Sequence, residues 1–453
     1  MHFDGIASAT WDGGDGLSAA FDPAYGAPPL VYTLTVTDDA GAVVTKTGSH
    51  SPLTVTGLAD GIYTLSVSVV DSFGRTAGAE KSIEQLVGAN RVVYRGEAGL
   101  DGGARAVSGD GDLIAIGGGP DKQGQTEKTG LAAIVDASDV NNPVTLSTIT
   151  GLGQVTDVEI HDGLLFVATD TVQDSSATTG VWIYDIADPT APVLVSTIEK
   201  TEDIAHTLSW GTIAGQDLLL LASNQQSGGR IAFYSFADPA NPALAGYWSP
   251  PPSPQGSGVH DQILIDQPCV RGSAATGACL YSAYTEGFGI VDVSDLANPL
   301  TLVAQDATWS NPFVHNLGLT DDGLTMAMSE EAVGGGLRVW DLSNLDAPVQ
   351  AAEYITAPTH SIHNVAVRGS TAFCAWYVDG LLALDLSDPA NPTLVGSYDT
   401  YAGADTVEER SDGTEWPNVA GATNVWVGGP HIAVSDSVRG LILFDFYAVT
   451  VAG

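Results

Sequence analysis

At 453 residues with 44% hydrophobic content, the chain can bury a sizeable core, which argues against intrinsic disorder. Fifteen Lys and Arg stand against 54 Asp and Glu, a formal net charge of −39. Nucleic acid and anionic membrane need a basic face and are poor partners, whereas cations suit this field. The 53 Gly and 23 Pro predict many turns and few helices. No apolar run approaches the ~20 residues of a membrane span, so no transmembrane segment is expected.

The start, Met1-His2-Phe3-Asp4-Gly5, has neither a basic nor an apolar leader region. The chain reads either as cytosolic or as a mature segment whose leader has been removed; a cysteine pair discussed below favours the second. Residues 1–85 read as short strands, with Trp11 in segment 7–12, Phe21-Asp22-Pro23, and alternating runs over 30–36, 53–58 and 61–71. They resemble a fibronectin type III module, an immunoglobulin-like β-sandwich. The resemblance makes Trp11 the core indole, and Leu58 with Tyr63 the corner before the sixth strand. It implies a spacer or binding platform of a surface protein. Residues 81–90 read as a linker, and 86–453 as a second domain.

In that second domain one phrase recurs: Gly, an apolar run, Asp, an apolar residue, Ser/Ala-Asp-Pro and a second Pro. The clearest copy is Gly380-Leu381-Leu382-Ala383-Leu384-Asp385-Leu386-Ser387-Asp388-Pro389-Ala390-Asn391-Pro392. Others occupy 130–143, 180–192, 229–242, 287–299 and 336–348. A seventh, Gly440-Leu441-Ile442-Leu443-Phe444-Asp445, lacks the Pro tail. The marker is Asp136, Asp185, Asp292, Asp341, Asp385 and Asp445, with Ser235 in the third copy. Units of this size are those of four-stranded propeller blades, which predicts an all-β, seven-bladed β-propeller. In the sixth unit the strands are expected over 362–367, 371–376, 381–386 and 393–398. The turn Asp should accept backbone N–H bonds while the first Pro fixes φ. The second Pro opens an outer strand, where a missing N–H is tolerated. The seventh unit stops before its fourth strand. Residues 91–96 resemble the 392–398 strand and are expected to supply it, closing the ring and hiding an edge.

This phrase resembles the LVIVD repeat of bacterial and archaeal cell-surface propellers, over about residues 91–446. The resemblance implies a secreted or surface-attached β-propeller, extracellular or at the cell surface, and little about activity.

Aligning the units places His at one register in four consecutive first strands: His206, His260, His315 and His363. The other three carry Arg105, Thr156 followed by Asp157, and Thr423 followed by Asn424. First strands line a propeller's channel, so four imidazoles at one level are a candidate site for a divalent transition metal. Neutral His is the commonest ligand for Zn, Cu, Fe or Ni. Asp261, Asn316 and Asn364 would orient the rings as a second layer. Carotenoid oxygenases hold iron with four channel histidines, an analogy of geometry alone. The competing reading has each ring hydrogen-bonded to its own or a neighbouring blade. His161, His360 and His431 fall in turns or at strand edges.

Acidic loops give calcium candidates at Asp110 and Asp112, at Asp321 and Asp322, and in the loop 12–16, although turn chemistry also explains them. Cys269 and Cys279 flank a short Gly/Ala/Ser-rich loop, a spacing that suits a disulfide across a hairpin end; two unpaired thiols are the alternative. Cys374 reads as a core thiol. The pairs Glu330-Glu331 and Glu408-Glu409 read as solvated loop carboxylates, with paired carboxylates for glycoside hydrolysis as the alternative. Trp210, Trp248, Trp309, Trp376, Trp416 and Trp426 read chiefly as core, with a carbohydrate-stacking face as the alternative. Two functions compete. One is a secreted or cell-surface, non-catalytic scaffold that binds a protein, glycan or cation at the propeller mouth. The other is a metalloenzyme built on the four histidines.

Overall fold

The computed structural model describes the chain apart from residues 1–2, 4–5, 12–15, 22–23, 39–40, 60, 78–82, 88–89, 120–129, 171–178, 201–204, 214, 224–228, 253–257, 266–268, 270–277, 309–311, 404–406, 410–414 and 448–453. For 6–11, 83–87, 170, 179, 200 and 408–409 it describes the backbone alone. The described residues form strands and turns, and no helix among them is long and apolar enough to cross a membrane. The chain divides into two compact units, residues 1–92 with 446–453, and residues 93–445.

In the first unit, Ile6–Trp11, Leu17–Phe21 and Leu53–Val55 form one sheet. Val43–Gly48, Val31–Asp38, Gly61–Val70 and Thr76–Ala77 form another. Strand alternation places Leu34, Val36, Leu65, Val67 and Val69 on one face of the second sheet. They share one core with Leu17, Ala19, Phe21, Leu53 and Val55 of the first. Tyr63 is buried and its hydroxyl donates to the Ala59 carbonyl at 3.0 Å. Trp11 pairs with Leu17 in the backbone register, but its side chain lies outside the described residues, as does the acidic loop at 12–15. Residues 83–87, expected within a linker, instead form the strand Ile83–Val87 beside Gly61–Val70. Ile83, Leu86 and Val87 give that stretch more apolar character than a linker has.

In the second unit, described residues form seven four-stranded antiparallel sheets. Their first strands are Ala104–Asp110, Gln154–His161, Thr207–Ile213, Val259–Ile265, Val314–Leu319, Asn364–Arg368 and Ala422–Trp426. In the first six sheets the chain meanders outward through consecutive strands. The sixth runs Asn364–Arg368, Thr371–Ala375, Leu381–Asp385 and Thr393–Tyr398. In the seventh sheet the fourth place, beside Gly440–Phe446, is taken by Val92–Ala98.

The recurring phrase has a mechanical reason at each position. The marker carboxylates of Asp136, Asp185, Asp292, Asp341 and Asp385 each accept the backbone N–H two residues on, at 2.8 to 3.0 Å. In several copies the leading Gly lies hard against the fourth strand. At Gly380, with φ of +79°, a Cβ would strike the Tyr398 carbonyl oxygen; at Gly440, with φ of +94°, it would strike that of Ala98. Only Gly tolerates both the angle and the approach. Cys269 and Cys279 form a disulfide across the connection between the strands Val259–Ile265 and Cys279–Tyr284. Cys374 is a buried free thiol, pushed up in pKa by that burial.

Candidate functional site

The first strands are stitched to one another in sequence. Ile160 N–H donates to Ser108 Oγ at 3.2 Å, and Thr156 Oγ1 to the Ala205 carbonyl at 3.2 Å. Thr207 Oγ1 donates to the His260 carbonyl at 2.5 Å, and Asn316 Nδ2 to Asp261. Ser329 Oγ donates to the His363 carbonyl at 2.6 Å. His363 Nδ1 donates to the Thr423 carbonyl at 2.5 Å, and Thr423 Oγ1 to the Ala104 carbonyl at 3.1 Å. These bonds join each of the seven sheets to the next at or beside its first strand, including the seventh to the first. One cavity of about 440 Å³ is lined by residues from all seven, among them Val107, Asp157, Leu208, Asp261, Asn364 and Asn424.

A recurring bulge sets the side chains at one end of these strands. The pairing register slips between Ala104 and Ala106, Val155 and Asp157, Val259 and Asp261, Val314 and Asn316, and Ala422 and Asn424. The extra residue is Arg105, Thr156, His260, His315 or Thr423. A bulge inserts an unpaired residue and re-aims its side chain. His206 and His363 sit at the matching place just before their strands, with N–H bonds to Ala222 at 3.0 Å and Ala375 at 2.9 Å.

The four histidines meet in a row. Ring centroids are 4.4 Å apart for His206 and His260, 3.6 Å for His260 and His315, and 4.1 Å for His315 and His363. His206 Nε2 and His260 Nε2 lie 3.0 Å apart. Because a carbonyl only accepts, the His363 bond to Thr423 puts the proton on Nδ1 and leaves Nε2 a lone pair. Nδ1 of His260 and of His315 is buried without a hydrogen-bond partner. Burial lowers the His206 and His363 pKa values to about 4, and those of His260 and His315 well below the ordinary imidazole value. All four are therefore neutral near pH 7.

Two further residues join this row. Glu331 is buried, with Oε2 3.5 Å from His315 Nε2. Tyr377 donates its hydroxyl to Glu331 Oε1 at 2.5 Å, and its ring lies 4.9 Å from that of His363. Burial, followed by the Glu331 charge, raises the Tyr377 pKa well above its usual value. The expectation that Glu330 and Glu331 are solvated fails, since both are buried. Glu330 ends the strand Thr325–Glu330 and receives Arg338 Nε at 2.9 Å, which compensates its burial. Glu331 and Tyr377 occupy one register: Ser329 pairs Asn316 and Ala375 pairs Asn364, and each site residue lies two further on. Aligning second strands as well as first strands would have exposed this position. Phe313, 5.8 Å from His260, and Trp416, 6.0 Å from Phe313, flank the row.

The next layer is polar and faces the cavity. Asp157 accepts Leu208 N–H at 2.7 Å, Asp261 accepts Gln262 N–H at 2.7 Å, and Asn316 accepts Val365 N–H at 2.8 Å. Asn424 accepts Val425 N–H at 2.7 Å. These side chains hold backbone of their own or adjacent first strands, while Asn364 stands beside His315. Burial raises Asp157 well above the carboxylate range, Glu159 to about 7 and Asp261 to about 6.

The remaining candidates lie apart. Asp110 and Asp112 are exposed beside a hairpin turn. Asp321, which lines the cavity, accepts Gly369 N–H from the hairpin turn of the next sheet at 3.0 Å, and Asp322 accepts Leu324 N–H within its own turn at 2.9 Å. His360 bonds Asp379 at 2.8 Å, His431 bonds Asp445 at 2.5 Å, and His161 lies against Trp210. Trp248 and Trp376 are core, Trp426 lines the cavity, and Trp309 and the side chains of Glu408 and Glu409 lie outside the described residues.

The LVIVD repeat family matches at residues 274–304 and 361–400. No curated protein matches the chain. Among solved structures, the chain is similar to the β-propeller domain of Cps50 (Swd1) from Myceliophteria thermophila, at 12% identity and a TM-score of 0.50, over 77% of this chain and 98% of that one. It is also similar to Sqt1 from Saccharomyces cerevisiae, at 11% identity and a TM-score of 0.48, over 79% and 99%. At such identity the first likeness shows the fold alone: the chain carries LVIVD repeats on a β-propeller.

Proposed function

We propose that this chain is a secreted or cell-surface scaffold, a closed seven-bladed propeller preceded by a fibronectin type III-like module, that binds a ligand through the propeller mouth. One observation carries the binding role: inner-strand bulges in five sheets, and the matching positions of the other two, set polar side chains at one register, next to residues that line a 440 Å³ cavity. Rigid strands holding convergent polar groups over a concavity are what a small-ligand site needs. The stitching of neighbouring first strands supports closure, and the Val92–Ala98 strand beside Gly440–Phe446 supports a clasp. Two sheets over one core and the Tyr63–Ala59 bond support the module reading. The disulfide and the LVIVD match support an extracellular setting. A glycan or a cation suits the carboxylate and amide groups that face the cavity.

Thermal unfolding of the full chain, with soluble oligosaccharides and divalent cations as probes, tests this. At least one class should raise Tm by several degrees at saturating concentration, and Asn424→Leu, on the cavity wall, should remove the shift. A Tm that moves with none of them, or an unchanged shift in Asn424→Leu, contradicts the site.

A further inference from the structure

We propose that a ring nitrogen from each of His260 and His315, with a carboxylate oxygen of Glu331, binds a divalent first-row transition metal. This deepens the binding reading above by naming one ligand class at the mouth. The three ligand atoms lie within 4.8 Å of one another, and all three residues are buried. Nδ1 of both rings is buried without a hydrogen-bond partner, and a buried nitrogen left so is costly unless something fills its place. His260 Nε2 faces His206, so a cation here would take the unpartnered Nδ1 of His260, while His315 turns its Nε2 toward Glu331 at 3.5 Å.

The set is chemically apt. Two imidazoles and one carboxylate form a borderline donor set that takes Zn, Fe or Mn and leaves coordination positions open. Glu331 is buried, and a divalent cation at its Oε2 would offset its charge there. Tyr377 donates to the second Glu331 oxygen at 2.5 Å, fixing the carboxylate as outer partners of metal ligands do. His260 is held from the other side by His206 Nε2 at 3.0 Å. His315 lies on the first strand of one sheet, Glu331 directly follows the second strand of that sheet, Thr325–Glu330, and His260 lies in the sheet before, so neighbouring strands set the spacing. The expectation of four convergent histidines thus narrows to two histidines and a glutamate, with His206 and His363 at the flanks.

Cobalt is the probe. Full-length protein stripped with EDTA and titrated with CoCl₂ should bind one equivalent, develop visible absorption bands, and release cobalt to ZnCl₂. Glu331→Gln should weaken binding about 100-fold or more with an unchanged far-UV spectrum. Should that variant not fold, His260→Gln gives the same reading. His360→Gln, at the histidine bonded to Asp379, should bind as the wild type does. Absence of stoichiometric cobalt in the wild type, or equal affinity in the folded ligand variant, overturns the site. A wild type that binds no cobalt yet shows an oligosaccharide-dependent Tm shift overturns the metal alone and leaves the scaffold reading intact.

Discussion

Removing residues 1–97 should cost the propeller about 5 kcal/mol more than removing residues 1–85, because only the longer deletion takes its outer strand. Val92 is 4% exposed, and Tyr94 stacks on Tyr398 at 5.5 Å and meets Phe444 at 6.2 Å. Burying two such side chains contributes roughly 1.5–3 kcal/mol each. The main-chain bonds to Gly440–Phe446 add about 1 kcal/mol apiece. Arg95 Nε also reaches Asp445 Oδ2 at 2.7 Å. Without the strand, Gly440–Phe446 becomes an unpaired edge open to association with other chains. Against a typical domain stability of about 5–15 kcal/mol, the shorter protein would be marginal. Urea denaturation of the two truncated proteins measures the difference; coincident midpoints would show that the strand closes nothing.

Glu159→Gln should stabilise the protein by roughly 3 kcal/mol at pH 8 and by under about 0.5 kcal/mol at pH 4.5. Glu159 accepts the Ser108 hydroxyl inside the ring, and burial raises its pKa from 4.5 to about 7. The folded state therefore keeps a proton that the unfolded chain has already lost. Stability falls as pH rises from 4.5 through 7, and the deficit is complete above that range. Glutamine has the shape of the protonated acid and no charge to bury, so the variant escapes the deficit. Asp157 is shifted in the same direction by burial and Glu159, so both proteins should still lose some stability with rising pH. Unfolding free energies at the two pH values decide the matter: a gain that does not change with pH contradicts a protonated Glu159.

The repeat made the architecture legible because each of its residues answers a local backbone demand. Asp385 accepts a turn N–H, and Gly380 stands where a Cβ would strike the next strand. Such demands recur once per sheet, and so does the sequence. The histidine register was legible for the same reason. The side-chain directions were not, because a bulge breaks the two-residue period by which a strand's faces are read. Glu331 and Tyr377 were missed because they share a position and no chemistry; only the pairing of Ser329 with Asn316 and of Ala375 with Asn364 makes them equivalent. The strand Ile83–Val87 was missed because its partner, Gly61–Val70, is set by the sandwich and not by its own short sequence.

The account rests on the four inner-strand histidines, two buried and two half-buried, forming one neutral row. Nitrogen-15 imidazole spectra of the metal-free protein at pH 5.5, assigned by single His→Gln substitution, test this directly. His206 and His363, with pKa values lowered to about 4, and His260 and His315, lowered further, should all show neutral imidazole shifts. Protonated signals from His260 and His315 at that pH, as for solvent-exposed imidazole, would contradict the row.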